Sequence, residues 1–316
     1  MADIILSVKN LTKIFNNKLA VNNISFQVEA GQIFGLLGPS GSGKTTVMRI
    51  ICGFCNFNKG SVKICNHSIY TDKKRATENL GCFIETPRFF ESMSGYSNLK
   101  YFAKLSKIKS KEKIINCATI VGLKDQLNKK VSKYTTGMKQ KLGIAQALLT
   151  DPKLLIFDEP LAGLDINSMN EIRTLLKYIS KQENVSIVLS SHMLGEMEEL
   201  CDVIAVMNNG QIEDIKTIAQ LKDQSEYDKK LQITVDYPNF AGKIVLNELK
   251  HKVSVAGNSI IVYTAEESLA KIIERLKAYH ISIFKIKYIT KSLAQVFNEI
   301  LQRKVIDKNW LEWLYV

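Results

Sequence analysis

The stretch Gly38-Pro39-Ser40-Gly41-Ser42-Gly43-Lys44-Thr45-Thr46 constrains this chain more than any other. It fits G-x-x-x-x-G-K-[ST], a pattern that carries meaning only between a strand and a helix. Here the context is right. The apolar run Ile33 to Leu37 precedes it and reads as a buried strand, and Val47 to Ile51 follows and reads as a helix. The glycines allow consecutive backbone N–H groups to turn inward around phosphate oxygens, and the helix N-terminus adds partial positive charge behind them. In that setting Lys44 reaches the β- and γ-phosphates of a nucleotide, and the Thr45 hydroxyl completes a Mg²⁺ site.

A second signal lies in Leu154-Leu-Ile-Phe157 followed by Asp158, Glu159 and Pro160. The short apolar run predicts a strand buried on both faces. A carboxylate at the end of such a strand suits Mg²⁺, which places Asp158 as a metal residue. Glu159 stands next to it, in position to polarise an attacking water as a general base.

Along the chain, Ile4 to Val8 and Val21 to Val28 read as strands with a turn at Asn16-Asn17. Residues 92–150 are mostly helical in pattern. Met169, Ile172, Leu175, Leu176 and Ile179 form a helical stripe, Ser186 to Ser190 is another buried strand, and Asn208-Asn-Gly210 marks a hairpin between Val203–Met207 and Gln211–Ile215. Strands alternating with helices predict a largely parallel sheet. The polar stretch Lys222 to Lys229 marks the expected boundary, giving domains 1–222 and 223–316. In the second, Leu231, Ile233, Val235 and Tyr237 alternate with polar residues. Val253–Val255 and Ile260–Tyr263 flank a turn at Gly257-Asn258. Thr264 and Glu267 fit a capping box before a helical face of Leu269, Ile272, Ile273 and Leu276. Ile281–Ile286 returns to strand, and Leu293, Val296, Phe297 and Ile300 to helix. The order read there is β-β-β-α-β-α, a small α+β domain, ending in a tail, Trp310 to Val316, that holds both tryptophans.

The formal charge of +12 is spread along the whole chain, without a basic block interleaved with aromatics, so nucleic acid is not the expected partner. It tilts the reading modestly towards work near anionic lipid. No apolar run approaches the roughly 18 residues of a spanning helix, and the start Met1-Ala-Asp-Ile lacks a basic leader, so a cytoplasmic protein is expected. Cys52-Gly-Phe-Cys55 has metal-ligand spacing but no second pair at a zinc-site interval. The six cysteines read as reduced small hydrophobes.

Taken together, the ordered motifs of residues 1 to about 222 resemble the ATP-binding subunit of an ABC transporter. The fold this implies is α/β: a P-loop ATPase cassette with a largely parallel mixed sheet, an antiparallel β subdomain and a helical subdomain near 92–150, joined to the α+β accessory domain. The resemblance also implies an ATPase that uses ATP and Mg²⁺, with Phe15 stacking on adenine. His192, after Ser191, would contact the γ-phosphate, and Asp165, in Gly163-Leu-Asp165, would touch the partner subunit's site. The family signature Leu-Ser-Gly-Gly-Gln is replaced here by Tyr134-Thr135-Thr136-Gly137-Met138. Thr135 keeps a hydroxyl and Gly137 keeps the close backbone approach, so both are expected to bind ATP from across a dimer. Glu85 stands where most relatives have glutamine, and ionised glutamate only accepts hydrogen bonds. It is expected to serve Mg²⁺ or its water and the coupling to a permease. This glutamate resembles the exporters of lantibiotic immunity and bacitracin resistance. A membrane permease and a homodimer, or pairing with a similar ATPase subunit, are the implied partners, with the chain peripheral on the inner face of the cell membrane. The rival readings are a soluble ABC ATPase acting on nucleic acid or ribosomes, and a regulatory ATP sensor.

Overall fold

The structure is a computed structural model that describes residues 3–221, 230–263 and 268–289. The chain divides into two compact units, Met1–Ile218 and Ala219–Val316.

The first unit begins with two long strands, β1 (Ile4–Phe15) and β2 (Lys18–Glu29), joined through Asn16 and Asn17. Both asparagines have positive φ, 44° and 61°, as a two-residue hairpin turn requires. The strands run further than the sequence pattern indicates. Strands β4 (Lys59–Ile64) and β5 (His67–Ser68), which the pattern did not reveal, complete an antiparallel sheet of order β2-β1-β4-β5.

Strand β3 (Ile33–Leu37) runs into the phosphate-loop motif and then into helix α1 (Lys44–Ile51). It belongs to a six-stranded sheet with β6 (Leu80–Phe83), β7 (Leu154–Phe157), β8 (Ser186–Ser191), β9 (Val203–Asn208) and β10 (Gln211–Thr217), in the order β10-β9-β3-β8-β7-β6. All pairings are parallel except the β9–β10 hairpin. Every residue of β3, β7 and β8 is buried, which is why these segments read as unbroken apolar runs instead of alternating ones. The core joins the two sheets: Leu6, Val8, Phe26 and Val28 pack with Phe34, Leu36, Val47, Met48, Ile156 and Val188. Burying each such side chain contributes about 1.5–3 kcal/mol.

Between β4 and β7 lie α2 (Lys73–Glu78), α3 (Gly95–Leu105), α4 (Lys111–Ile120) and α5 (Thr136–Leu148), and α6 (Ile166–Gln182) follows β7. Side-chain oxygens of Ser94, Ser110, Thr135 and Asp165 accept from backbone N–H groups in the first turns of α3, α4, α5 and α6 respectively. Each cap contributes about 1 kcal/mol and fixes where its helix begins. The short helix α7 (Leu194–Leu200) leads into β9. Cys52, Cys117 and Cys201 are buried and the other three cysteines half-buried; burial raises the Cys117 thiol to about 11.

The second unit carries β11 (Lys230–Val235), α8 (Pro238–Asn247), β12 (Lys252–Ala256), β13 (Ser259–Tyr263), α9 (Leu269–Ala278) and β14 (Ile283–Ile289). The sheet order is β12-β13-β11-β14, with every pairing antiparallel. This is a β-α-β-β-α-β arrangement of the ferredoxin-like kind, and it corrects the β-β-β-α-β-α order expected from sequence. Helix α8 replaces a continuation of β11, because Pro238 ends the strand and its fixed φ starts a helix at the first position. Tyr237 therefore lies outside the strand. Ile233, Ile260, Val245, Ile272 and Leu276 form this unit's core. The boundary stretch 222–229, the capping box of Thr264 and Glu267, the helical pattern Leu293–Ile300 and the Trp310–Val316 tail lie outside the described residues.

Candidate active site

The parallel sheet brings three strand ends together. β8 lies between β3, which feeds the phosphate-loop motif, and β7, which feeds Asp158 and Glu159. The loop therefore opens beside the two carboxylates. A cavity of about 830 Å³ sits there, lined by Phe15, Ser40, Gly41, Ser42, Gly43, Lys44, Thr45, Thr46 and Glu159, with the Asn209–Gly210 turn on one wall. Phe15 is half-exposed at the end of β1, with the Lys13 ammonium 4.4 Å from its ring centroid.

The loop geometry explains its glycines. Gly43, at the N-cap of α1, has φ 104°, and an added Cβ there would lie 2.7 Å from the Ala20 carbonyl oxygen. A Cβ on Gly38 would lie 2.2 Å from the Met207 carbonyl oxygen, a backbone atom that cannot step aside. Gly38→Ala is therefore expected to destabilise the first unit by about 1–3 kcal/mol, read as a lowered urea midpoint with unchanged slope. An unaltered midpoint would contradict this packing. Lys44 is buried, 7% exposed, and its ammonium donates to the carbonyls of Gly38 at 2.7 Å and Pro39 at 3.1 Å. Burial lowers its pKa, and the carboxylates of Glu159 and Asp158 oppose that shift.

Asp158 is buried and Glu159 half-buried. The Ser190 hydroxyl donates to Asp158 Oδ1 at 2.5 Å and accepts from the Glu159 N–H at 2.9 Å. His192 Nδ1 lies 3.1 and 3.2 Å from the two Glu159 carboxylate oxygens. Its loop is tied down by Ser191, whose buried hydroxyl donates to Glu196 at 2.5 Å and accepts from the Met193 N–H. Glu159 and the glycine loop of residues 40–46 thus line one cavity, with His192 against the Glu159 carboxylate.

The family description "ABC transporter" matches residues 21–162. An uncharacterised ABC transporter ATP-binding protein YhcH of Bacillus subtilis (strain 168) is 38% identical over 94% of this chain and 95% of its own length. The chain is an ABC transporter ATP-binding protein. The bacitracin transport ATP-binding protein BcrA of Enterococcus faecalis is 33% identical over 94% of the chain and 96% of its own length. The lantibiotic transport ATP-binding protein SrtF of Streptococcus pyogenes is 34% identical over 66% and 88% respectively. Among solved structures, cbiO1 from Clostridium perfringens shares the fold, with a TM-score of 0.65 and 24% identity over 78% of this chain and 97% of that one. The cassette binds nucleotide and is an ATPase, and it resembles the bacitracin and lantibiotic subgroup. Among the described residues, no helix is long and apolar enough to cross a membrane.

Not all of the cassette's sequence-predicted residues meet at the cavity. Thr135 and Gly137 lie at the N-terminus of α5 and are not among its lining residues. The Thr135 hydroxyl accepts from the Met138 N–H at 3.2 Å, and a Cβ on Gly137 would meet Ser168 Oγ at 2.8 Å. Asp165 caps α6, and bonds from Ser168 lower its pKa. Glu85 has φ 69°, and its exposed carboxylate accepts from the Arg49 guanidinium of α1 at 2.5 Å. Sequence reasoning missed Arg49 and Ser190. It also missed Gln140, which donates to the Pro160 carbonyl at 2.8 Å and braces the segment after Glu159.

Proposed function

We propose that this cassette is the motor subunit of an exporter that protects its cell against an antimicrobial peptide of the lantibiotic or bacitracin type. Two cassettes, identical or similar, would close on ATP, and a separate membrane permease would carry the peptide. The cassette would sit peripherally on the inner face of the cell membrane. The observation that carries this reading is the span of the likeness to the bacitracin transport protein, which covers 94% of the chain and so extends well beyond the cassette.

The separation of the site residues supports a dimer. Thr135 and Gly137 present a helix N-terminus, where backbone N–H groups favour anions, yet do not line their own cavity. A second copy would bring them to the γ-phosphate. Phe15 would hold the adenine, and the residues 38–46 the phosphates. The Ser42 hydroxyl supports this, being buried without a hydrogen-bond partner among the described residues and placed in the loop where a phosphate oxygen would satisfy it. Thr45 and Asp158 are hard oxygen donors and too few to form a protein-only cage. No group of three or more His, Cys, Asp or Glu does so among the described residues. That donor set suits Mg²⁺, which keeps several waters and binds jointly with phosphates. When bound it would neutralise phosphate charge. Glu159 would take the proton of the attacking water, and His192 would orient the Glu159 carboxylate while facing the γ-phosphate.

Glu85 would relay nucleotide state to the permease. Its ion pair with Arg49 is exposed and worth about 0–1 kcal/mol, weak enough to break each cycle. Glu85→Gln is expected to leave ATP affinity within about twofold, under roughly 0.4 kcal/mol, while reducing peptide resistance in cells that also express the permease. Unchanged resistance would remove Glu85 from the coupling route. The reading as a whole is tested by deleting the chain and re-expressing it with its permease. Restored growth on a lantibiotic or bacitracin supports it, and equal sensitivity with and without the pair overturns it.

A further inference from the structure

We propose that Ser190 is a positioning residue for ATP hydrolysis, a single buried hydroxyl that sets the Asp158 carboxylate and the Glu159 backbone in a fixed relation. The inference rests on the ATPase reading of the site. Ser190 is fully buried, on a strand whose preceding side chains, Ile187, Val188 and Leu189, are all apolar. A polar group there has to be satisfied within the protein, and both of its bonds go to the two catalytic-site carboxylate residues.

The direction of each bond is determined. The backbone N–H of Glu159 can only donate, so the Ser190 oxygen accepts at 2.9 Å. Its single proton is then committed to Asp158 Oδ1 at 2.5 Å. One oxygen of Asp158 is thereby held by a neutral donor, leaving the other free to serve a cation. The register makes the contact inevitable: Phe157 pairs with Leu189 across β7 and β8, so Asp158 comes level with Ser190.

Glu159 has φ 49°, in the left-handed region that a residue with a β-carbon enters only when its surroundings hold it there. The bond to Ser190 is such a hold. From that backbone the Glu159 carboxylate reaches His192 Nδ1 at 3.1 and 3.2 Å. Removing the hydroxyl would release both Asp158, which would hold the cation, and Glu159, which would take the proton of the attacking water. Neither change removes a group of the loop of residues 38–46 or Phe15, and the two carboxylates act on Lys44 only through their field, so nucleotide affinity without the cation should change little.

The test compares Ser190→Ala, Ser190→Cys and Ser190→Thr in the full chain. Cysteine keeps the unbranched shape of serine, with a larger atom and a much weaker donor, and threonine keeps the hydroxyl and suits a strand. Alanine and cysteine are expected to lower kcat roughly 10- to 100-fold, the scale of a catalytic group displaced by about 1 Å, with KM for ATP within about threefold. Threonine should recover most of the turnover. A second readout is binding of a fluorescent ATP analogue with and without Mg²⁺. Affinity without the cation should match wild type in all variants, while the Mg²⁺ concentration for half-maximal binding should rise severalfold in the alanine and cysteine forms. The inference is overturned if alanine and cysteine keep wild-type kcat and Mg²⁺ requirement. It is also overturned if threonine, in a variant that unfolds at the wild-type urea midpoint and so accommodates its methyl group, fails as badly as alanine, since the hydroxyl would then not be what matters. Glu159→Gln assayed alongside separates the two levels. An inactive Glu159→Gln with a normal Ser190→Ala removes only the positioning role, whereas a fully active Glu159→Gln removes the assignment of the site itself.

Discussion

Glu159→Gln is expected to lower kcat for ATP hydrolysis by about 10²–10⁴-fold, the contribution of a positioned general base, while ATP still binds. Glutamine keeps the size of glutamate and can still bond to His192, so the change isolates proton acceptance. The geometry gives this substitution its weight. Glu159 lines the cavity, its backbone is held by Ser190, and its carboxylate is turned to His192. With binding intact and hydrolysis blocked, ATP should trap the cassette as a closed dimer, visible as a doubled mass in light scattering with ATP and not with ADP. Turnover near wild type would show that another group accepts the proton.

Lys44→Met should weaken ATP binding by about 100-fold. The ammonium is the buried cation of the loop, with the Gly38 and Pro39 carbonyls as partners at 2.7 and 3.1 Å. Bonds from a charged donor contribute about 1.5–3 kcal/mol each, and about 2.7 kcal/mol is 100-fold in Kd. Methionine preserves most of the length and buried stem and removes the charge. Lys44→Arg should not rescue binding, because a planar guanidinium is a different shape from an ammonium and Lys44 is only 7% exposed. Equilibrium titration with a fluorescent ATP analogue measures both variants. A Kd within threefold of wild type for the methionine variant would exclude Lys44 from phosphate binding.

The parts of this site that were legible in the sequence are those built from local chemistry. A strand, a glycine loop and a helix follow one another in residues 33–51, and their geometry is dictated within that window. Asp158 and Glu159 were legible because a doubly buried strand leaves its first carboxylate at the sheet edge. Ser190 was not singled out, since a serine closing an apolar strand reads as its end, and only the β7–β8 register reveals its partners. There was a signal: two consecutive serines on a strand buried on both faces must bond to something. Arg49 read as one more residue of a helix, and its link to Glu85 spans 36 positions. Helix α8 was hidden because Pro238 and Gly242 look like breakers, although proline at the first helical position is a starter. The short strands β4 and β5 lack a strong alternation, and their place is set by pairing to β1. Thr135, Gly137 and Asp165 are legible as helix starts, yet the role expected for them lies across an interface that a single chain does not contain.

The most direct test of the coupled motor is to purify the chain with the products of its neighbouring genes, reconstitute the complex in lipid vesicles and assay ATP hydrolysis with and without cationic antimicrobial peptides. The account predicts a hydrophobic membrane subunit in the complex and a turnover that responds to a lantibiotic or to bacitracin. Recovery of RNA or ribosomes in place of a membrane subunit, with turnover indifferent to peptide, would contradict the transporter while leaving the ATPase site as described.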